Sequence, residues 1–119
     1  MTKHLEEYFF KEGCYIEEWM NDASQPDCSV ARVRVEPNVT TRLHSLADTT
    51  ERYVILEGSA RVTVGENQWH VTAKDVVTIP AGEAQCIQNL EQKDLIFLAV
   101  CNPRFEEQNY TDLSGLEES

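Results

Sequence analysis

This sequence is short of positive charge. Ten lysines and arginines face 21 aspartates and glutamates over 119 residues, leaving a net charge of −11. Nucleic acid and anionic membrane both require a basic footprint, so neither is expected as a partner. Long apolar runs are missing too. None approaches the ~20 residues that span a bilayer, and the N-terminal MTKHLEEYFFKEG is charged throughout, without the apolar centre of a secretory signal. Cys14, Cys28, Cys86 and Cys101 never fall at the C-x-x-C spacing of a zinc or redox motif. The expected setting is the cytoplasm, with the four thiols reduced. The glycosylation-like triplets at Asn38 and Asn109 are chance matches in that setting. Internal repeats, low-complexity tracts and linkers are also lacking.

What is present is enough for one folded domain spanning 1–119. The hydrophobic fraction is 41%, ordinary for a chain that buries a core. Short strand-like runs follow one another, with turn signals every eight to twelve residues. Residues 14–20 form the first, closed by NDASQPD. In CSVARVRV, Ala31, Val33 and Val35 share one face, and Arg32 and Arg34 take the other, solvated or interfacial one. Residues 40–46, 51–56 and 76–79 continue the series; 60–64 and 68–71 read as a hairpin about Gly65-Glu66-Asn67, and 85–88 and 95–101 as a last pair. This is the pattern of an all-β sandwich or barrel. Residues 1–13 read as a short helix or arm docking Tyr8, Phe9 and Phe10, and the acidic tail from Asn102 as mostly loop.

The stretch RLHSLADTTERYVILEG, residues 42–58, organises the rest. It resembles the first motif of the cupins, G-x5-H-x-H-x3,4-E-x6-G. Asn38 stands at the first glycine, His44 at the first histidine, Leu46 at the second, and Glu51 and Gly58 match. The segment KDVVTIPAGEAQCIQN resembles the second motif, G-x5-P-x-G-x2-H-x3-N. Lys74 replaces its glycine and Gln85 its histidine; Pro80, Gly82 and Asn89 match. The resemblance implies a double-stranded β-helix, or jelly-roll barrel, with its core over about residues 29–101. It also implies a site inside that barrel.

Strand alternation says which neighbours share that interior. If His44 points inward, so do Arg42 and Leu46; Glu51 brings Tyr53 and Ile55, and Gln85 brings Ile87 and Asn89. The lining is then mixed polar and apolar, as a small-molecule pocket requires. Arg42, Leu46, Tyr53, Ile55 and Ile87 are its expected substrate-contacting residues, with Arg42 either clamping a carboxylate or phosphate or pairing with Glu51. His44, Glu51 and Gln85 either hold one divalent ion (Zn, Ni, Fe or Mn) or hydrogen-bond one another in a metal-free pocket. His70, beside Trp69, reads as a surface or interface histidine, and His4 lies in the arm.

Two functions fit. One is an isomerase, epimerase or lyase acting on a small sugar- or sugar-acid-like molecule, with His44 or Glu51 moving a proton and Tyr53 shaping the pocket. The other is a binding or sensory module that kept the barrel and lost the chemistry. The runs at 53–56, 76–79 and 95–101 are continuously apolar, which implies cover on both faces. A second subunit in a homodimer supplies it, or else the N-terminal arm does.

Overall fold

A computed structural model describes residues 6–115; His4 and the last four residues lie outside them. Eleven strands are present among the described residues: β1 (Tyr8–Phe10), β2 (Cys14–Met20), β3 (Ser29–Val35), β4 (His44–Leu46), β5 (Thr50–Glu57), β6 (Ser59–Val64), β7 (Asn67–Thr72), β8 (Val76–Ile79), β9 (Gln85–Asn89), β10 (Leu95–Asn102) and β11 (Tyr110–Asp112). They form two antiparallel sheets, in the orders β1-β2-β3-β10-β5-β8 and β11-β4-β9-β6-β7. The two inner faces make one core from alternate residues, including Val33, Val35, Ile55, Val62, Ile79, Ile87, Leu95 and Phe97. The expected all-β barrel is therefore present, and among the described residues no helix is long and apolar enough to cross a membrane.

Alternation works where the strands are regular. Glu51, Tyr53 and Ile55 are buried on β5 while Arg52 is exposed, and Gln85, Ile87 and Asn89 are buried on β9. Arg32 and Arg34 face outward, where Glu7 pairs with both, at 3.7 and 2.8 Å. Asn89 acts as an internal tie: its amide donates to the carbonyls of Val35, Glu36 and Lys93, and its oxygen accepts from the Glu91 N–H. One buried side chain thus satisfies backbone groups at the end of β3 and in the connection between β9 and β10.

Three expectations change. The N-terminal segment is a strand hairpin, β1–β2, that extends the larger sheet at its edge and lies in its plane; it does not cover the outer face. The C-terminal tail carries a short 3-10 turn, Glu107–Asn109, and then β11, which pairs with β4. The proposed strand over 40–46 is regular only from His44. Before it, the Thr41 N–H donates to Ile87 O and the Arg42 N–H to Glu12 O, so the chain is held by two different partners and loses its two-residue period.

The motif glycines show why those positions exist. Gly58 has φ +96, and a Cβ there would sit 3.4 Å from the Leu95 backbone. Asn38 (φ 64) and Lys74 (φ 81) replace two of the other three motif glycines yet keep the left-handed backbone. Asn tolerates that region; Lys does so at about 1–2 kcal/mol. Lys74 is pinned there by its N–H to Ile55 O and by the Asp75 carboxylate on the Thr72 N–H. Lys74→Gly should therefore raise stability by about 0.5–1 kcal/mol, after the greater chain entropy that glycine adds to the unfolded state. Urea denaturation measures this directly; a loss of stability would show that the lysine makes up for its backbone through its side chain.

Candidate active site

The inner faces part at one end of the barrel around a cavity of about 60 Å³. Its floor is built from Glu51 and Tyr53 of β5 and His44 and Leu46 of β4. Its wall adds Glu12 from the β1–β2 turn, and its mouth is formed by aromatic rings. His44, Leu46, Glu51 and Tyr53 are each at most 8% exposed. Gln85, opposite His44 on the neighbouring strand, stands just behind the lining and accepts a short hydrogen bond from the Tyr53 hydroxyl. Ile55 and Ile87 lie deeper, in the packed core. Arg42 lies outside the barrel. Its guanidinium meets Asp112 at 2.9 Å on the surface, because the irregular backbone before β4 turns it away from the face that His44 uses.

Two members of the site carried no sequence signal. Glu12 is one acid among many in the N-terminal arm, and it becomes buried only because the hairpin closes through Gly13 N–H to Phe10 O and its carbonyl receives Arg42. Tyr110, in the tail, stacks on His44 with centroids 5.0 Å apart. The three residues of β11 are too few for their pattern to be told from a loop.

The hydrogen bonds fix protonation states. His44 Nδ1 lies 2.7 Å from Arg42 O, which can only accept, so Nδ1 carries the hydrogen. Nε2 is then the basic nitrogen, and it faces Glu12 Oε1 at 3.3 Å. Burial pushes the Glu12 carboxyl up to about 8, with Glu51 adding repulsion and the Cys14 thiol offsetting part of it. Burial also lowers the His44 imidazole, with the Arg42 carbonyl opposing. At neutral pH the contact is therefore a carboxylic acid donating to a neutral imidazole, and the charged pair is the disfavoured state. Glu51 is pushed up to about 7 by burial, against hydrogen bonds from Gln85 and the Cys101 thiol. Its Oε1 nevertheless has no partner, and neither has the Tyr110 hydroxyl. These are the two unpartnered buried side-chain atoms among the described residues, and both residues line this one cavity.

A metal ion fits this donor set poorly. The oxygen of Gln85 is taken by Tyr53 O–H, which leaves its amide N–H groups as donors. Leu46 cannot ligate. No three His, Cys, Asp or Glu side chains among the described residues are placed to hold an ion together. Tyr53 pairs instead with Gln85 and His44 with Glu12, and Glu51 Oε1 and the Tyr110 hydroxyl are left over.

Comparison with known proteins decides the family. A model of the cupin domain matches residues 31–101, more than half of the chain. The chain is a cupin. No curated protein sequence matches it. Among solved structures, KdgF from Halomonas sp. superposes with a TM-score of 0.76 at 14% identity, covering 87% of this chain and 90% of that one. Pac13, described as a unique nucleoside dehydratase, gives 0.78 at 18% identity over 95% and 92%. Oxalate decarboxylase from Bacillus subtilis gives 0.79 at 24% identity, over 92% of this cupin and 30% of the larger chain. Identities this low establish the shared barrel; chemistry has to be argued from the residues.

Proposed function

We propose that this cupin binds a small polar molecule in the cavity and moves a proton on it, as an isomerase, epimerase or lyase. The observation that supports this most is the unpartnered Glu51 Oε1, buried opposite a second acid–base pair, Glu12–His44. Two carboxyls whose surroundings raise them to about 7 and about 8 divide the work: the more readily ionised Glu51 is the base, and Glu12, positioned beside His44 Nε2, is the acid. Tyr53 holds Gln85, and Gln85 steadies the Glu51 carboxylate. A cavity of about 60 Å³ is well below the ~150 Å³ that takes a benzene, so the reacting part of the substrate is a few heavy atoms long. Arg42 does not line this cavity, so a sugar acid or sugar phosphate would lack its expected clamp there.

Deuterium wash-in tests the reading. Three-carbon hydroxy- and amino-carbonyl compounds (dihydroxyacetone, glyceraldehyde, aminoacetone) in D2O should exchange the carbon-bound hydrogen beside the carbonyl faster with protein than in buffer. Binding without exchange across the panel would favour the rival reading, a non-catalytic binding module. Leu46 and the Tyr53–Gln85 bond, which stand where the family motif places ligating histidines, support that alternative.

The protein is also proposed to be a homodimer. In the larger sheet Val76, Val54 and Leu98 form a cross-strand row on the outer face, Val76 and Leu56 are 57% and 41% exposed, and the N-terminal hairpin leaves them uncovered. Native mass spectrometry should give twice 13.6 kDa, and Leu98→Asp should give the monomer. A monomeric parent at micromolar concentration would refute the assembly.

A further inference from the structure

We infer that the cavity selects a small organic cation, with an ammonium group seated between Glu12 and Glu51. The inference rests on the reading of this cavity as the binding site and adds the charge of its occupant.

A census of the lining carries the argument. Three carboxyls line the cavity: Glu12 and Glu51 inside and Glu18 near the mouth. None of the described lysines or arginines does. Arg42 is tied to Asp112, Lys11 to Glu107, and Arg32 and Arg34 to Glu7, all facing outward. A carboxylate or phosphate entering here would lose its water and meet two buried acids with no cation to offset them. An ammonium meets the opposite situation.

The unpartnered atoms ask for the same ligand. Glu51 is 8% exposed and its Oε1 has no donor. A carboxylate oxygen accepts only, so the missing group is a donor. The Tyr110 hydroxyl, also without a partner, can accept from the same head. An ammonium carries three donors, enough for Glu51, Glu12 and Tyr110 together. The rings of Phe10 and Phe105 at the mouth add aromatic surface on which a cation is held better than a neutral group. Lys11 Nζ lies 4.7 Å from the Tyr110 ring centroid and 5.8 Å from that of Phe10, so this aromatic group already holds a cation. The net charge of −11 speeds the approach of a cation and slows that of an anion.

Three molecules of nearly equal size separate the charges: ethanolamine, ethylene glycol and glycolate. Each is followed by backbone amide shifts of the intact chain at pH 8, since ligands this small bind in roughly the millimolar range. Ethanolamine is expected to shift residues around His44, Glu51 and Tyr110 and to bind at least tenfold tighter than ethylene glycol. Glycolate should give no saturable shift. Glu51→Gln should bring ethanolamine to the level of the glycol, and Glu12→Gln, as the second variant, should weaken it in the same direction; a dispersed amide spectrum confirms that each is folded. Glycolate binding as well as ethanolamine, a cation preference that survives both substitutions, or no saturable shift from any of the three would overturn the inference. Ethanolamine binding without deuterium wash-in would defeat the proton-transfer reading alone. Wash-in on a neutral hydroxy-ketone without cation preference would defeat this inference alone.

Discussion

Stability is expected to increase as the medium is acidified from pH 8 to about pH 5, opposite to the trend of a protein held by surface carboxylates. Glu12 and Glu51 have folded-state values of about 8 and about 7 against an ordinary 4.5. Between 4.5 and those values the folded chain holds protons that the unfolded chain has lost. Folding is therefore favoured at low pH and weakened as pH rises, by about 1.4 kcal/mol per pH unit for each carboxyl. With both in play the slope is about −2 kcal/mol per unit near pH 6.5 to 7, where Glu51 is already partly ionised, and the whole window is worth several kcal/mol, a large share of the stability of a small domain. His44 works the other way. Its folded value is lowered, so below about 6.5 the unfolded chain gains a proton that the folded one refuses, which cancels about one carboxyl's worth of slope. Glu7 and Asp112, held low by Arg34 and by Ser114 with Arg42 respectively, give up their contribution only in stronger acid. The maximum should lie near pH 5. Urea midpoints at pH 5, 6.5 and 8 measure it, and Glu12→Gln and Glu51→Gln should each flatten the curve. A midpoint that is level or higher at pH 8 would mean that both carboxyls ionise freely in a wet cavity.

The barrel was legible because its signals are local and repeated. Alternation in CSVARVRV, the hairpin about Gly65-Glu66, and the Pro80–Gly82 turn each act within a few residues. The floor of the site was legible for the same reason: Glu51 and Tyr53 share a face of one regular strand, and so do His44 and Leu46. Arg42 shows where the argument fails. Two residues from His44 is the same face only while the strand is regular, and the Arg42 N–H leaves the ladder for Glu12 O. That bond depends on a partner 30 positions earlier, which no local pattern encodes. Glu12 and Tyr110 were illegible for a related reason. They come from the two ends of the chain and meet His44 only because β1–β2 and β11 close the same end of the barrel. The apolar run at 53–56 is covered on one face within this chain: β5 alternates between more and less buried residues, and its outward Val54 and Leu56 belong to the face on which the proposed second subunit would sit.

Once a substrate is in hand, Glu51→Gln should lower the rate of deuterium wash-in by at least about 100-fold, the range over which a positioned base acts. The substitution keeps the shape and removes the only group placed to accept a proton at the unpartnered oxygen. Glu12→Gln should behave differently. A glutamine amide can still donate to His44 Nε2 and keep the imidazole's hydrogen on Nδ1, against Arg42 O, but it has no proton to surrender. In the parent, activity should rise as Glu51 ionises near 7 and fall as Glu12 ionises near 8, a narrow bell whose two limbs belong to the coupled pair as a whole. Glu12→Gln should reduce the rate and erase the alkaline limb, because the group that titrates there is gone. The acid limb should stay near 7, since burial sets the Glu51 value and Glu12 is uncharged while Glu51 ionises. The decisive readout is the shape of the profile, which a merely weakened fold would scale without reshaping. A bell retained in Glu12→Gln, or a Glu51→Gln variant within a few-fold of the parent, would show that the proton moves through other groups.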